Sequence, residues 1–490
     1  MRDDAVALSL AKMRQESKLR SALLVLVLCA VPTLLVGSAY PFELSDLLFP
    51  LGAPLGHVAH AFLIYLGLLA ALIIGSEQFA ARTVGRPGEA PPVGATVSRI
   101  VDELSRRMGI SVETQAFGGG EIEAVQAYRR RIVRIGVARL RESIFAPQDF
   151  SFVVAHELTH LASNDARTDR IVRSAYLAGS LFLLAAFARV LWAIGEGIAV
   201  TWRFGFQAVI SSLANSWIAL FTNSVSLGTL TLLFMLERRS AMRLREFHAD
   251  AVASTLVRSA SGIMEKLRPT NSGRFARVIA RVLGTHPERE HRRAALEGLA
   301  AAFQSDRILL LLQGYFAAML LEILLQMLFV GASPSMSSLA ERRTHLAQSI
   351  SDHPVSVWCV ISTAAAMVGL SQLIVLRRIA LVAAEAAALR LGVRLWAGSA
   401  TMVGAGTILS LLTSQTFYWE MSLSRWNLLA WAKADPDRLS LYGILWVGMV
   451  FPLALTLAGA RQSPASRDRT ILAATVPVGL ALIVGFGFYG

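Results

Sequence analysis

The residues of this chain best suited to chemistry are two histidines four apart with a glutamate between them, in His156-Glu157-Leu158-Thr159-His160. On a helix, positions i and i+4 share one face a turn apart. Two imidazoles so placed can converge on one zinc ion at about 2.0–2.1 Å each. Glu157, next to the first ligand, can reach a water molecule at the ion without itself ligating, and can take its proton.

A catalytic zinc takes three protein ligands and keeps one position open. The best third ligand is Glu246, in Arg245-Glu246-Phe247-His248-Ala249-Asp250, with His248 as the next choice. Asp250 lies one helical turn beyond Glu246, and Asp165 five residues beyond His160. Both can accept the remaining N–H of a liganding imidazole, the partner that fixes the ring's tautomer and orientation.

These residues must be positioned by an unusual chain. Of its 490 residues 54% are hydrophobic and only 17% charged, against roughly 25% charged in soluble domains. Apolar stretches lie near residues 21–40, 58–75, 174–199, 208–236, 308–332, 356–376, 395–414, 441–460 and 471–489. Most approach or exceed the roughly 20 residues that cross a bilayer as a helix. The formal charge of +13 fits Lys and Arg gathered in cytoplasmic loops. No nucleic-acid motif accompanies it, so nucleic acid is not expected as a partner. Cys29 and Cys359 fall far apart inside apolar stretches and read as small buried hydrophobes, with no disulfide framework.

The expected organisation is five segments: 1–76, an N-terminal tail and two transmembrane helices; 77–172, the first part of a zinc protease domain; 173–236, a transmembrane hairpin turning at 201–207; 237–306, the second part of that domain; and 307–490, with about five further transmembrane helices. The hairpin returns the chain to the membrane face it left, which brings Glu246 to the two histidines. Within the first polar part a helix is expected over 97–108, a turn at Gly118-Gly119-Gly120, a strand over 132–137 and a helix from Pro147 into the histidine pair. The expected fold class is an α-helical polytopic membrane protein; that its polar part is a mainly α, zincin-like α+β metalloprotease domain is what the resemblance given next implies. The positive-inside rule puts the basic N-terminal tail, and the active site, on the cytoplasmic side.

The pattern resembles the membrane zinc metallopeptidases of the HtpX and CAAX prenyl protease type. The residues that carry the resemblance are His156, Glu157, His160 and Asp165, then Glu246, Phe247, Ala249 and Asp250, and a later His286-Pro287 with Arg292. The resemblance spans about residues 20–300 and implies one zinc ion per chain. It also implies that His286 and Arg292 hold the catalytic carboxylate or the oxyanion of the reaction. It further implies an edge strand that pairs with extended substrate, a place taken here by 126–135, although relatives usually have Asn where Gln126 stands. Arg129, Arg130 and Arg131 make that loop basic, which suits anionic lipid, or acidic peptide as the sharper alternative.

The expected function is a zinc endopeptidase acting on membrane or membrane-associated polypeptides, as in protein quality control, in a bacterial inner membrane. Two alternatives stand beside it. An intramembrane-cleaving protease would carry its histidines inside a transmembrane helix, whereas Gln148, Asp149, Ser151, Asn164, Asp165 and Arg167 flank them here. A membrane-embedded zinc sensor or receptor would make no use of Glu157. His57 and His60 suit an interfacial helix end rather than a second metal site. Glu322 and Glu385 are costly in hydrocarbon and have no partner in the sequence. Oligomeric state is open.

Overall fold

A computed structural model describes residues 2–39, 53–84, 93–257, 307–329 and 389–413, with isolated positions at 292, 351, 362, 443, 447 and 450. His286, Cys359 and Glu385 lie outside the described residues, as do nearly all positions of the expected apolar stretches at 356–376, 441–460 and 471–489.

Among the described residues the elements run α1 (Arg2–Ala39), α2 (Ala53–Val84), α3 (Ala95–Arg107), β1 (Glu113–Phe117), β2 (Ile122–Ala127), β3 (Arg130–Gly136), α4 (Val137–Phe145), α5 (Pro147–Ser163), α6 (Asp165–Thr201), α7 (Phe206–Val257), α8 (Arg307–Phe329) and α9 (Leu389–Leu412). The expected helix at 97–108, strand at 132–137 and helix from Pro147 are all present within a few residues. The apolar stretches 174–199 and 208–236 are not separate helices. They continue without a break into α6 and α7, which the turn Trp202–Phe204 and Gly205 join. Among the described residues two helical segments, Ala59–Val84 and Asp165–Phe204, are long and apolar enough to cross a membrane.

By the packing of Cα atoms the chain divides into two units: one of Met1–Val25, Gly67–Leu177 and Met235–Phe303, the other of Leu26–Leu66, Ala178–Phe234 and Gln304–Gly490. The first holds all the described motif residues. It also takes in the first 25 residues, which the sequence reading grouped with the N-terminal membrane helices as a basic tail.

The core of the first unit is the contact of α3, α5 and a three-stranded sheet. Val97, Val101 and Leu104 of α3 repeat at helical spacing and meet Phe150, Val154, Leu158 and Leu161 of α5. Ile122, Val133 and Ile135 close the core from the sheet, and Ala253 of α7 joins it. The strand order is β1-β3-β2, with β1 parallel and β2 antiparallel to β3. The central strand is therefore β3. The segment 126–135, read from the sequence as an edge strand, spans the end of β2, the turn at Tyr128 and most of β3. Among the described residues the sheet edge next to α5 belongs to β2. The single-sequence signal is weak there because Val-Gln-Ala of β2 and Ile-Val of β3 show no clear alternation.

The second unit includes a tight crossing of α8 and α9. A Cβ on Gly314 would meet the Val403 carbonyl oxygen at 2.1 Å, and one on Gly406 would meet that of Leu311 at 1.9 Å. Only glycine permits backbones this close. Tyr315 Oη, 2.9 Å from Thr413 Oγ1 and 3.3 Å from Ser226 Oγ, satisfies its hydroxyl across this packing.

Candidate metal centre

Helix α5 starts at Pro147, whose fixed φ and missing N–H suit a first helical position. It ends at Asn164, which adopts a left-handed conformation (φ 59) and returns its N–H to the carbonyls of His160 and Leu161. Asparagine enters this region more easily than most residues. The break redirects the chain so that Asp165 opens α6, where its negative charge also suits the helix N-terminus.

Burial of the apolar face of α5 carries His156 inward, and the two imidazoles lie side by side with Nε2 atoms 3.2 Å apart. Glu246, projecting from α7, faces both: Oε2 is 3.6 Å from His156 Nε2 and Oε1 is 3.5 Å from His160 Nε2. The three ligand atoms all lie within 4.8 Å of one another, and the group could hold a metal ion. The donor set fits a zinc-type site of two imidazole nitrogens and one carboxylate oxygen. His248, the alternative third ligand, is not in that group; burial holds its imidazole down to about 4.

Each histidine keeps its Nε2 free for this point because Nδ1 is engaged elsewhere. His156 Nδ1 is 3.0 Å from Asp250 Oδ1, and His160 Nδ1 is 3.0 Å from Asp165 Oδ2. Burial works against a charge on His156, but the carboxylates of Asp250 and Glu246 outweigh it, and its pKa is pushed up to about 10. Two carboxylates thus face the one imidazole, Asp250 at Nδ1 and Glu246 at Nε2. Asp250 itself is fully buried. Burial would raise its carboxyl pKa, yet hydrogen bonds from His156 and Arg292 hold it below the ordinary range.

Both aspartates are backed by an arginine. Arg292 reaches Asp250 with two guanidinium nitrogens, the Nε at 2.6 Å. Arg245 sits beside Asp165, its Nε 3.8 Å from Oδ1 and its Nη1 donating to the Asp165 carbonyl at 3.4 Å. The sequence reading assigned Arg292 to the catalytic carboxylate or oxyanion; here the guanidinium is on Asp250, and the charges of Glu246 and Glu157 also act on it. Arg245 was not singled out, although its place one residue before Glu246 offered a signal.

Glu157 projects toward the sheet. Its Oε2 accepts the backbone N–H of Ala124 at 3.0 Å. That amide points off β2, away from β3, so the carboxylate sits between the histidine pair and the free strand edge. Nearby, Gln126 Nε2 and Arg131 Nη2 both donate to Asn164 Oδ1, at 3.2 and 3.3 Å, which ties the strand to the end of α5. Of the three arginines of the loop, Arg130 is paired with Glu113 and Arg131 is turned to Asn164.

Residues 93–300 match the model of peptidase family M48. None of the curated proteins or solved structures compared matches the chain. The matched segment contains every residue described above, and its family implies a metal-dependent peptidase.

Proposed function

Starting from a segment, residues 93–300, that belongs to peptidase family M48, we propose that this protein is a zinc endopeptidase of a membrane. Its substrates would be membrane or membrane-associated polypeptides, as in protein quality control. The observation that carries the reading is the convergence of His156 Nε2, His160 Nε2 and a Glu246 carboxylate oxygen, with Glu157, the neighbour of His156, outside that group among the described residues.

In this reading His156, His160 and Glu246 hold the zinc. A zinc ion held there would supply Lewis acidity and lower the pKa of water towards about 7. Glu157 takes the proton of the attacking water and passes it to the leaving amine. The hydrogen bond from Ala124 fixes the Glu157 carboxylate while leaving Oε1 available for that proton. Asp165 and Asp250 hold the two imidazoles in the tautomer that presents Nε2. Arg292 keeps Asp250 ionised and adds positive potential near Glu157, and His286 would steady negative charge on the reacting carbonyl. The free edge of β2 offers the main-chain groups that an extended peptide pairs with.

The membrane part rests on the helices Ala59–Val84 and Asp165–Phe204 and on the low charge of the whole sequence. The distribution of Lys and Arg supports a site on the cytoplasmic face, and the resemblance supports a bacterial inner membrane as the setting. The test is cleavage of an unfolded protein by purified full-length chain in detergent, with and without a zinc chelator. Cleavage that the chelator stops and added zinc restores is expected; chelator-insensitive cleavage would refute it.

A further inference from the structure

The start of the chain is not a free tail. Helix α1 runs from Arg2, and its stretch from Met13 to Ser21 buries Glu16, Ser17, Arg20 and Ser21 to 3% exposure or less. Arg14 donates to the carbonyl of Ala162 in the last turn of α5 at 3.2 Å. Arg20 donates to Ser240 Oγ of α7 at 3.0 Å while pairing with Glu16.

The most pointed contact is with Arg245. Its Nε donates to Ser17 Oγ at 3.2 Å and its Nη2 to Ser21 Oγ at 2.6 Å. Both serines are set as acceptors. Ser21 gives its own proton to the Ser17 carbonyl at 2.9 Å, and Ser17 gives its proton to the Ala241 carbonyl at 3.5 Å. Their lone pairs are thereby left for the guanidinium. Arg245 is 4% exposed, and a charge buried that deeply is held where its hydrogen bonds are satisfied. With Nε and Nη2 fixed on α1, Nη1 donates to the main-chain carbonyl of Asp165 at 3.4 Å and Nε lies 3.8 Å from its Oδ1, so the guanidinium holds the residue whose Oδ2 faces His160.

We propose that Ser17 and Ser21 of the N-terminal helix are positioning residues of the metal centre, acting through Arg245 and Asp165 on His160. The helix thus serves as an internal brace for one ligand, while the Asp250–Arg292 pair braces the other. This rests on the metal reading given above.

The test measures the zinc dissociation constant of full-length protein in detergent by competition with a chromophoric chelator, alongside thermal unfolding of the zinc-saturated form. Ser17→Ala/Ser21→Ala is expected to weaken zinc by roughly 10-fold, the lower end of what loss of such outer partners costs. The single Ser21→Ala shifts it in the same direction with a gentler change to folding. Arg20→Gln, which removes the contacts of the same helix to Ser240 and Glu16, serves as the comparison. It is expected to lower the unfolding temperature and leave zinc affinity within about 2-fold of the parent, well short of the roughly 10-fold loss that an outer partner costs. Equal losses of affinity in the serine and Arg20 variants would overturn the proposal, because general docking would then explain both. Unchanged affinity in the serine variants of a zinc-binding parent would overturn it alone. A parent chain that binds no zinc would overturn the metal reading together with it.

Discussion

His160 Nδ1 lies 3.0 Å from Asp165 Oδ2, although the two residues belong to different helices separated by a left-handed break at Asn164. A continuous helix would carry residue i+5 well round the axis from residue i. The break is what folds the carboxylate back onto the ring, and so the conformation of one asparagine sets the orientation of one imidazole.

Asn164→Ala should therefore destabilise the chain by about 1–2 kcal/mol, the cost of a left-handed backbone for a residue with an ordinary side chain. Asn164→Gly frees the backbone but loses the bonds from Gln126 and Arg131, and should be the milder change. Thermal unfolding of the two variants in detergent orders them; an Ala variant as stable as the parent would show that the break is not under strain.

Glu246→Ala should abolish tight zinc binding, since two imidazoles alone leave the ion without its third ligand. Metal content after desalting measures this. Full occupancy would move the third ligand elsewhere and remove the reason for Glu246 to face both histidines.

Asp250→Asn should keep the fold and weaken zinc by about 10–100-fold, the range for loss of a ligand's outer partner. Arg292→Ala should act in the same direction, because it leaves a fully buried carboxylate with one partner fewer. Affinities by chelator competition check both. A strong loss of cleavage in Arg292→Ala with unchanged zinc affinity would instead assign that guanidinium to the reacting carbonyl.

Spacing made the metal centre legible. Helical periodicity places His156 and His160 on one face, and the same rule places Asp250 one turn from Glu246. What the sequence hid were contacts between distant segments: Ala124 with Glu157, and Ser17 and Ser21 with Arg245. A backbone amide has no letter of its own. The serines sit among Arg14, Lys18 and Arg20, so the stretch reads as a solvated basic tail. The strand edge was misread for a related reason, as β2 lacks the alternation that marks a half-buried strand.

The proposed orientation in the membrane is testable at two exposed positions. Phe204, in the turn between α6 and α7, and Ile144, at the end of α4, are 76% and 72% exposed. With Cys29 and Cys359 replaced by alanine, Phe204→Cys should react with an impermeant maleimide in intact cells, and Ile144→Cys only after permeabilisation. The opposite pattern would invert the topology and place the metal centre outside.

The metallopeptidase reading itself turns on Glu157, which touches Ala124 and ligates nothing among the described residues. Zinc content and cleavage of an unfolded protein should be measured together for the parent and for Glu157→Gln. Zinc in both, with cleavage by the parent and a loss of at least about 100-fold in the variant, is expected. Cleavage by the variant at the parent's rate would contradict the assignment of Glu157 and with it the proposed chemistry.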